Sequence, residues 1–319
     1  IDVQEYVKAL KERGIILAVN SKNDDANAKS GFEHDSSVLN KEDITSFQAN
    51  WNPKHDNMVV IAKEINIGLD SLVFLDDNPV ERDLVKNQCP MIEVPSVEDV
   101  TTYISTLDSS GVFETVSLSA DDLNRSNFYK ENSQRKQLTE SFKNYDEFLK
   151  SLDMKAEIAP FNTSNIDRIT QLINKTNQFN LTTKRYTLAQ IQAIMSNDSY
   201  ITLYGRLKDK FGDNGIVSII IVKIEPEACI IDTWLMSCRV LKRQFEKAMF
   251  DVLLKKLNAR SIKSITGCYK PTKKNKMVQN LFQEFGFKKE KESEDEVTWS
   301  LNITKTKLEK NTLMEISHD

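Results

Sequence analysis

Apolar residues recur at helical spacing through VQEYVKALKERG and stop at Gly14, whereas the IILAVN that follows is a short unbroken apolar run of the kind that forms a buried strand. The alternation continues. DNMVVIAKEINIG is helical and stops at Gly68, and LVFLD reads as the next strand. Pro79 stands where a helix through VERDLVK begins, and MIEVP reads as a further strand before helical VEDVTTYIST. Strands and helices in alternation predict a parallel sheet with crossover helices.

The pattern changes after residue 107. DSSGVFETVSL reads as a connector, and the highly charged stretch from Ala120 to Leu152 as a long helix. Helical NIDRITQLINKTNQF then leads to three strands rich in branched residues: ITLYGRL, GIVSIIIVKI and ACIIDTWLMSCRV. The helix RQFEKAMFDVLLKKL, the strand SIKSITGCY, a helix ending at FGF and a last strand VTWSLNI complete the series. Consecutive antiparallel strands covered by helices predict an α+β domain. The expected organisation is a parallel α/β domain over residues 1–107, a connector and long helix over 108–152, an α+β domain over 153–301, and a solvated tail over 302–319.

Composition adds limits rather than identity. With 39% hydrophobic and 28% charged residues and a net charge of −4, the 319-residue chain reads as soluble and globular, with room for two cores. Its longest clear apolar run, IVSIIIV, falls far short of the roughly 18 residues of a membrane span, so no membrane is expected. The near-neutral balance gives no reason to expect nucleic acid. Four cysteines without CxxC spacing and three scattered histidines encode neither a zinc site nor a disulfide framework, which suits a reducing cytoplasm. The chain starts at Ile1 rather than Met, so a segment upstream is expected.

The stretch LVFLDDNPVERDLVK carries the first chemical signal, because an apolar strand ends in two adjacent carboxylates, Asp76 and Asp77. Such a pair demands open water or a cation. Ligands of open parallel sheets bind at the carboxyl ends of the strands. IILAVN likewise runs into Ser21-Lys22-Asn23, and Lys54 lies between the two strands, just ahead of a helix. A hydroxyl and a lysine suit phosphate oxygens, and one or two carboxylates with substrate oxygens hold Mg²⁺. Taken singly, Ser21 is equally a helix cap, Lys54 a surface lysine and the acidic pair a solvated turn.

AVNSKND, NWNPKHDNM and FLDDNPVERDLV together resemble the haloacid dehalogenase (HAD) phosphotransferases, and within them the FkbH-like subgroup. The resemblance implies Ser21 as the phosphate-binding hydroxyl, Asn23 as a substrate contact, Lys54 as the neutralising lysine, and Asp76 and Asp77 as the Mg²⁺ carboxylates. It also implies an Asp-x-Asp nucleophile at the end of a strand upstream of the first helix. No such motif precedes Gln4, so this domain is expected to be incomplete at its N-terminus and residues 1–319 to lack phosphotransferase activity.

The second half resembles the GNAT acyltransferase fold, whose Arg-x-x-Gly-x-Gly loop binds the pyrophosphate of coenzyme A at a helix N-terminus. Here that loop reads Arg239-Val-Leu-Lys242-Arg243-Gln244, with both glycines replaced. Side chains there are expected to hinder a pyrophosphate, while Lys242 and Arg243 attract a single phosphate such as that of a carrier protein's phosphopantetheine arm. NQFNLTTKRY, KFGDNGIV, WLMSCRVL and YKPTKKNKMV extend the FkbH-like resemblance to nearly all of residues 1–301. Members of that family resemble glyceryl transferases. They take a three-carbon unit from 1,3-bisphosphoglycerate, remove its phosphate and load it as a thioester on an acyl carrier protein.

Thioester chemistry needs a thiolate, and Cys238 at a strand end beside Arg239 is the expected candidate, a buried structural cysteine being the plain alternative. The base is expected to be Asp213, Asp232 or the substrate phosphate. Asn177, Asn180, Thr182 and Arg185 are expected to contact the glyceryl or phosphate groups, or else to cap a helix. Lys274 in its basic cluster is expected to meet an acidic carrier, or to be plain solvated surface, and Asn275 to meet the pantetheine or cap a helix. Two rival readings remain open: a coenzyme A-dependent N-acyltransferase with a vestigial HAD domain, and a non-catalytic carrier-docking module. A plain phosphomonoesterase is a third, which leaves the second domain without a role.

Overall fold

In the computed structural model, residues 2–65, 67–114, 123, 125–305 and 312–317 are described. They fall into two compact units, residues 1–134 and 135–319. Among the described residues no helix is long and apolar enough to cross a membrane.

The first unit alternates as the pattern predicts. Helix α1 (Asp2–Glu12) gives way at Gly14, whose φ of 87° is one that glycine adopts without strain, and β1 (Leu17–Ser21) follows. After α2 (Asp25–Ser30), a strand the sequence does not announce, β2 (Ile44–Ala49), pairs parallel to β1 with Ser21 opposite Ala49. Helices α3 (Lys54–Ile65) and α4 (Pro79–Gln88) pack over a core of Met58, Ile61, Ile65, Phe74, Val85, Cys89 and Ile92. The strands expected at LVFLD and MIEVP shrink to one parallel bridge, Val73 to Glu93. Its backbone bonds run from Phe74 N to Glu93 O (2.8 Å) and from Glu93 N to Leu72 O (3.1 Å). Pro95 has no N–H with which to extend the ladder.

The expected connector lies partly outside the described residues, at 115–118. The expected long helix is two, Arg125–Glu140 and Tyr145–Ser151, parted where Asn144 caps the second by accepting from Asp146 N at 2.9 Å.

The second unit is built on one sheet in the order β11-β3-β5-β6-β7-β8-β10-β9, with β4 attached to β7. Its strands are β3 (Met154–Ala159), β4 (Phe179–Asn180), β5 (Tyr200–Asp209), β6 (Gly212–Glu225), β7 (Ala228–Met236), β8 (Ser264–Tyr269), β9 (Lys288–Glu292), β10 (Val297–Asn302) and β11 (Met314–Ser317). The β5-β6-β7 meander is antiparallel, as its branched runs predict, and β7 to β8 is a parallel pairing. Both sheet faces are covered, which is why IVSIIIV is almost unbroken. Ile220 and Val222 join the core beneath helix Phe245–Ala259, and Ile219 and Ile221 join the one beneath helix Ile166–Lys175. Helix Phe245–Ala259 comes so close to β5 that a Cβ on Gly205 would lie 2.4 Å from Met249 Sδ. Part of the expected solvated tail is β11, which pairs parallel with β3 and buries Met314. The fold class is therefore the expected one, a parallel α/β unit followed by an α+β unit.

Candidate functional site

In the first unit the carboxyl ends of the strands converge. Ser21 ends β1, and its carbonyl accepts from Asn50 N (3.1 Å) just beyond β2. Asn20 donates to Lys54 O at 2.9 Å, and Lys54 Nζ forms an ion pair with Asp76 Oδ2. Three residues picked from separate stretches thus stand on one connected strand-end surface: Ser21 through its neighbour Asn20, Lys54 and Asp76. Asp76 is 8% exposed, and its other oxygen accepts from Asn78 N at 2.9 Å. Arg82 holds the turn by donating to Asp76 O (2.8 Å) and Asp77 O (2.9 Å), while Asn78 caps α4 at Val80 N (2.9 Å). Asp77 is exposed, with its side chain meeting no partner among the described residues, and Asn23 accepts from Asp24 N at 2.8 Å.

Sequence reading missed what holds this surface together. Asn57, 2% exposed, donates to Asn20 Oδ1 (3.1 Å) and Asn50 Oδ1 (3.0 Å), tying α3 to both strand ends. Lys22 pairs with Glu81 Oε1 at 2.5 Å. Asparagines on a helix or at a strand end carry no pattern that separates such roles from plain surface.

Mg²⁺ needs only one or two protein carboxylates when water and substrate oxygens complete its shell. Asp76 and Asp77 supply that number, one braced by Lys54 and one open, so the donor set fits a substrate-shared cation. It does not form a protein cage: no cluster of three metal-ligating side chains occurs among the described residues.

In the second unit the predicted polar residues gather into a knot. Asn180, fully buried, accepts from Thr183 N (2.8 Å) and Thr182 N (3.3 Å) and donates to Thr176 O (3.1 Å). Asn275, also fully buried, donates to Asn180 O and Lys270 O (2.9 Å each) and accepts from Thr272 N at 2.7 Å. Both amides bond backbone groups inside the fold, which is the structural rather than the ligand-contact side of the expectation. Arg185 donates to Thr176 O at 2.9 Å, to Ile173 O and to Asn177 Oδ1, so its charge caps the C-terminal end of helix Ile166–Lys175. Thr182 donates to Asp232 O at 3.0 Å.

The carboxylates expected as bases are also engaged. Asp232 receives Lys184 at 2.5 Å, Thr233 at 2.9 Å and the Tyr186 hydroxyl. Asp213 is bound by Arg206 at 2.5 Å, Lys208 at 3.3 Å and Gly215 N at 2.9 Å. Burial works against its charge, but the Arg206 hydrogen bonds, the Gly215 N–H and the two cations outweigh it and hold the carboxyl below its usual range. That makes it a weak base.

Cys238 is partly exposed and opens a one-turn helix, Cys238–Val240, capped by Ser237. Arg239 follows it and donates from Nε to Ser237 Oγ at 3.3 Å. Burial pushes the other three thiols up, Cys229 to about 12 and Cys268 to about 12 with help from Glu296, so these stay protonated at neutral pH. Lys242 and Gln244, in the places where the loop motif has glycine, have φ of 65° and 57°, so the backbone keeps the left-handed turns that glycine favours. Arg243, expected to attract a phosphate, is instead buried, with Nη1 at 2.9 Å from Asp209 Oδ2. Lys274 is exposed.

No family model matches the chain, and no curated protein matches it. Among solved structures, the N-terminal part of a Bacteroides fragilis protein, containing a phosphatase domain and complexed with Mg, is 48% identical. The match covers 37% of this chain and 32% of that one, about a third of its length, at a TM-score of 0.36. A probable acetyltransferase from Staphylococcus epidermidis is 13% identical over 46% of this chain and 98% of its own, TM-score 0.37. Spermidine N-acetyltransferase from Vibrio cholerae, in complex with CoA and spermine, is 8% identical over 47% and 97%, TM-score 0.37.

Proposed function

We propose that this protein is an FkbH-like glyceryl transferase, whose phosphatase step requires the Asp-x-Asp nucleophile that residues 1–319 do not contain. It takes a glyceryl unit from 1,3-bisphosphoglycerate, handles its phosphate on the first unit, and loads the acyl group as a thioester on an acyl carrier protein through the second. The observation that carries the reading is the convergence of Ser21, Lys54 and Asp76 at parallel strand ends, bonded through Asn20 and braced by Asn57. A lysine beside a buried carboxylate, with a hydroxyl on the adjoining strand end, suits a phosphate shared with a cation. Lys54 neutralises phosphate oxygens, Ser21 donates to them, and Asp76 and Asp77 hold Mg²⁺, which supplies charge neutralisation when bound. In the second unit, Cys238 at a turn N-terminus is the thiol for acyl transfer, and exposed Lys274 faces an acidic carrier.

The test is intact-protein mass spectrometry after incubation with 1,3-bisphosphoglycerate, Mg²⁺ and a phosphopantetheinylated carrier. A glyceryl mass on the carrier is expected; an unmodified carrier beside folded protein overturns the loading reaction. One observation favours a second reading. Lys242 and Gln244 have positive φ at the two positions where the coenzyme A loop motif has glycine. Micromolar binding of acetyl-CoA, with no glyceryl transfer, would select that acyltransferase.

A further inference from the structure

We infer that Asn57 is a positioning residue for phosphate and not for the cation: it fixes the two groups that meet phosphate oxygens, while the Mg²⁺ carboxylates have a brace of their own. This assignment rests on the phosphate reading of the first unit above and divides that site into two halves. The ligand class of the Asn57 half is a phosphate monoester or free phosphate.

The phosphate half is wired through three asparagines. Asn57, on α3 and 2% exposed, donates from Nδ2 to Asn20 Oδ1 (3.1 Å) and to Asn50 Oδ1 (3.0 Å). Asn20 precedes Ser21 in β1 and donates in turn to Lys54 O at 2.9 Å. Asn50 N donates to Ser21 O at 3.1 Å. Asn50 Oδ1 also accepts from Asn52 N at 3.0 Å, which shapes the turn leading to Lys54. One buried amide therefore reaches the Ser21 backbone through Asn50 and the Lys54 backbone through Asn20. Without it two amide oxygens lose a donor, and the strand end and the helix start are free to shift against each other.

The cation half is clamped from elsewhere. Arg82 Nη1 donates to Asp76 O (2.8 Å) and Asp77 O (2.9 Å), and Asp76 Oδ1 accepts from Asn78 N at 2.9 Å. Among the described residues the side chains of Asn20, Asn50 and Asn57 make no bond to residues 76–82. The two halves meet at the Lys54–Asp76 ion pair. Hydrogen bonds to phosphate oxygens are directional, so they weaken when Ser21 and Lys54 move relative to each other. A carboxylate turn held by its own arginine keeps its shape. The three asparagines are neutral, so the brace adds no charge to a place that must hold an anion and a cation together.

The test is calorimetric titration of the 319-residue protein with MgCl₂ alone, and with inorganic phosphate at saturating MgCl₂. Titrating Mg²⁺ alone keeps its linkage to phosphate out of the comparison. Asn57→Ala is expected to weaken phosphate about 10-fold and to leave the Mg²⁺ affinity unchanged, a split that a general loosening of the unit does not produce. Unchanged phosphate affinity, or an equal loss of both affinities, overturns the inference and leaves the phosphate reading standing. Wild-type protein that binds no phosphate overturns both. If Asn57→Ala shows no cooperative thermal transition, Asn20→Ser decides, because it is a neutral change at a half-buried position that removes the amide donor to Lys54 O. Weaker phosphate with unchanged Mg²⁺ then supports the wiring, and any other pair of results overturns it.

Discussion

Arg243 Nη1 lies 2.9 Å from Asp209 Oδ2, with only 7% and 0% of the two side chains exposed. Arg135, equally enclosed, brings its Nε to 2.7 Å from the same oxygen, and Asp209 Oδ1 accepts from Phe211 N at 2.9 Å. One carboxylate therefore holds a helix, the β5–β6 turn and the loop after Cys238. Replacing it strands two buried guanidinium groups. Asp209→Ala should lose about 3–5 kcal/mol of stability in a denaturant titration. Arg243→Leu should cost less, because Arg135 still pairs with the acid.

Lys54 stands at the strand-end surface of the first unit, paired to a carboxylate 22 residues further along the chain. Inorganic phosphate with Mg²⁺ should raise the Tm of the wild-type protein by mass action on the folded state, and should leave Lys54→Met unmoved. An equal response in the variant removes Lys54 from the site.

Two carboxyls give opposite pH signatures. Asp213 has a lowered folded value, so its contribution is present above the ordinary carboxylate range and is lost as pH falls through that lowered value. Arg206→Leu should therefore flatten the acid limb of the stability curve. Glu246 is raised, so its contribution is full at acid pH and is lost as pH climbs through the raised value. The Tm advantage of Glu246→Gln over wild type should widen from pH 5 to pH 9, and a constant difference would mean that the enclosed Glu246 Oε2 has a partner.

Asn275→Ala removes a side chain that makes two donor bonds and accepts from Thr272 N and Tyr269 Oη, the latter at 3.3 Å. Two carbonyls and an N–H lose partners in a buried place. The expected loss is at least about 3 kcal/mol, read by thermal or urea unfolding.

The sequence announces elements that bury a stripe or a face, and is silent about those held by backbone pairing alone. GIVSIIIVKI declares itself as an almost unbroken branched run buried on both faces, and RQFEKAMFDVLLKKL by its helical apolar stripe. β9, KKEKE, is exposed at every position and exists because β10 offers it a ladder, which no side-chain pattern records. β2 alternates neither way: Ile44 and Phe47 are three apart, and Ser46 faces inward to bond Glu64. At the strand ends, Lys54 and Asp76 were legible because a parallel sheet collects its carboxyl ends on one side. For Asn180 and Asn275 both a ligand contact and a structural role were open, because an amide that binds a ligand and one that binds the backbone look the same in sequence.

The two borders of the large sheet are guarded differently. β9 closes one with five charged residues, so a second sheet approaching it meets lysine and glutamate before any free backbone. The other border is closed by four residues, Met314–Ser317, laid against β3. Deleting them would uncover the N–H and C=O row of β3 together with Met154 and the core behind it, and that edge would become a template for edge-to-edge aggregation.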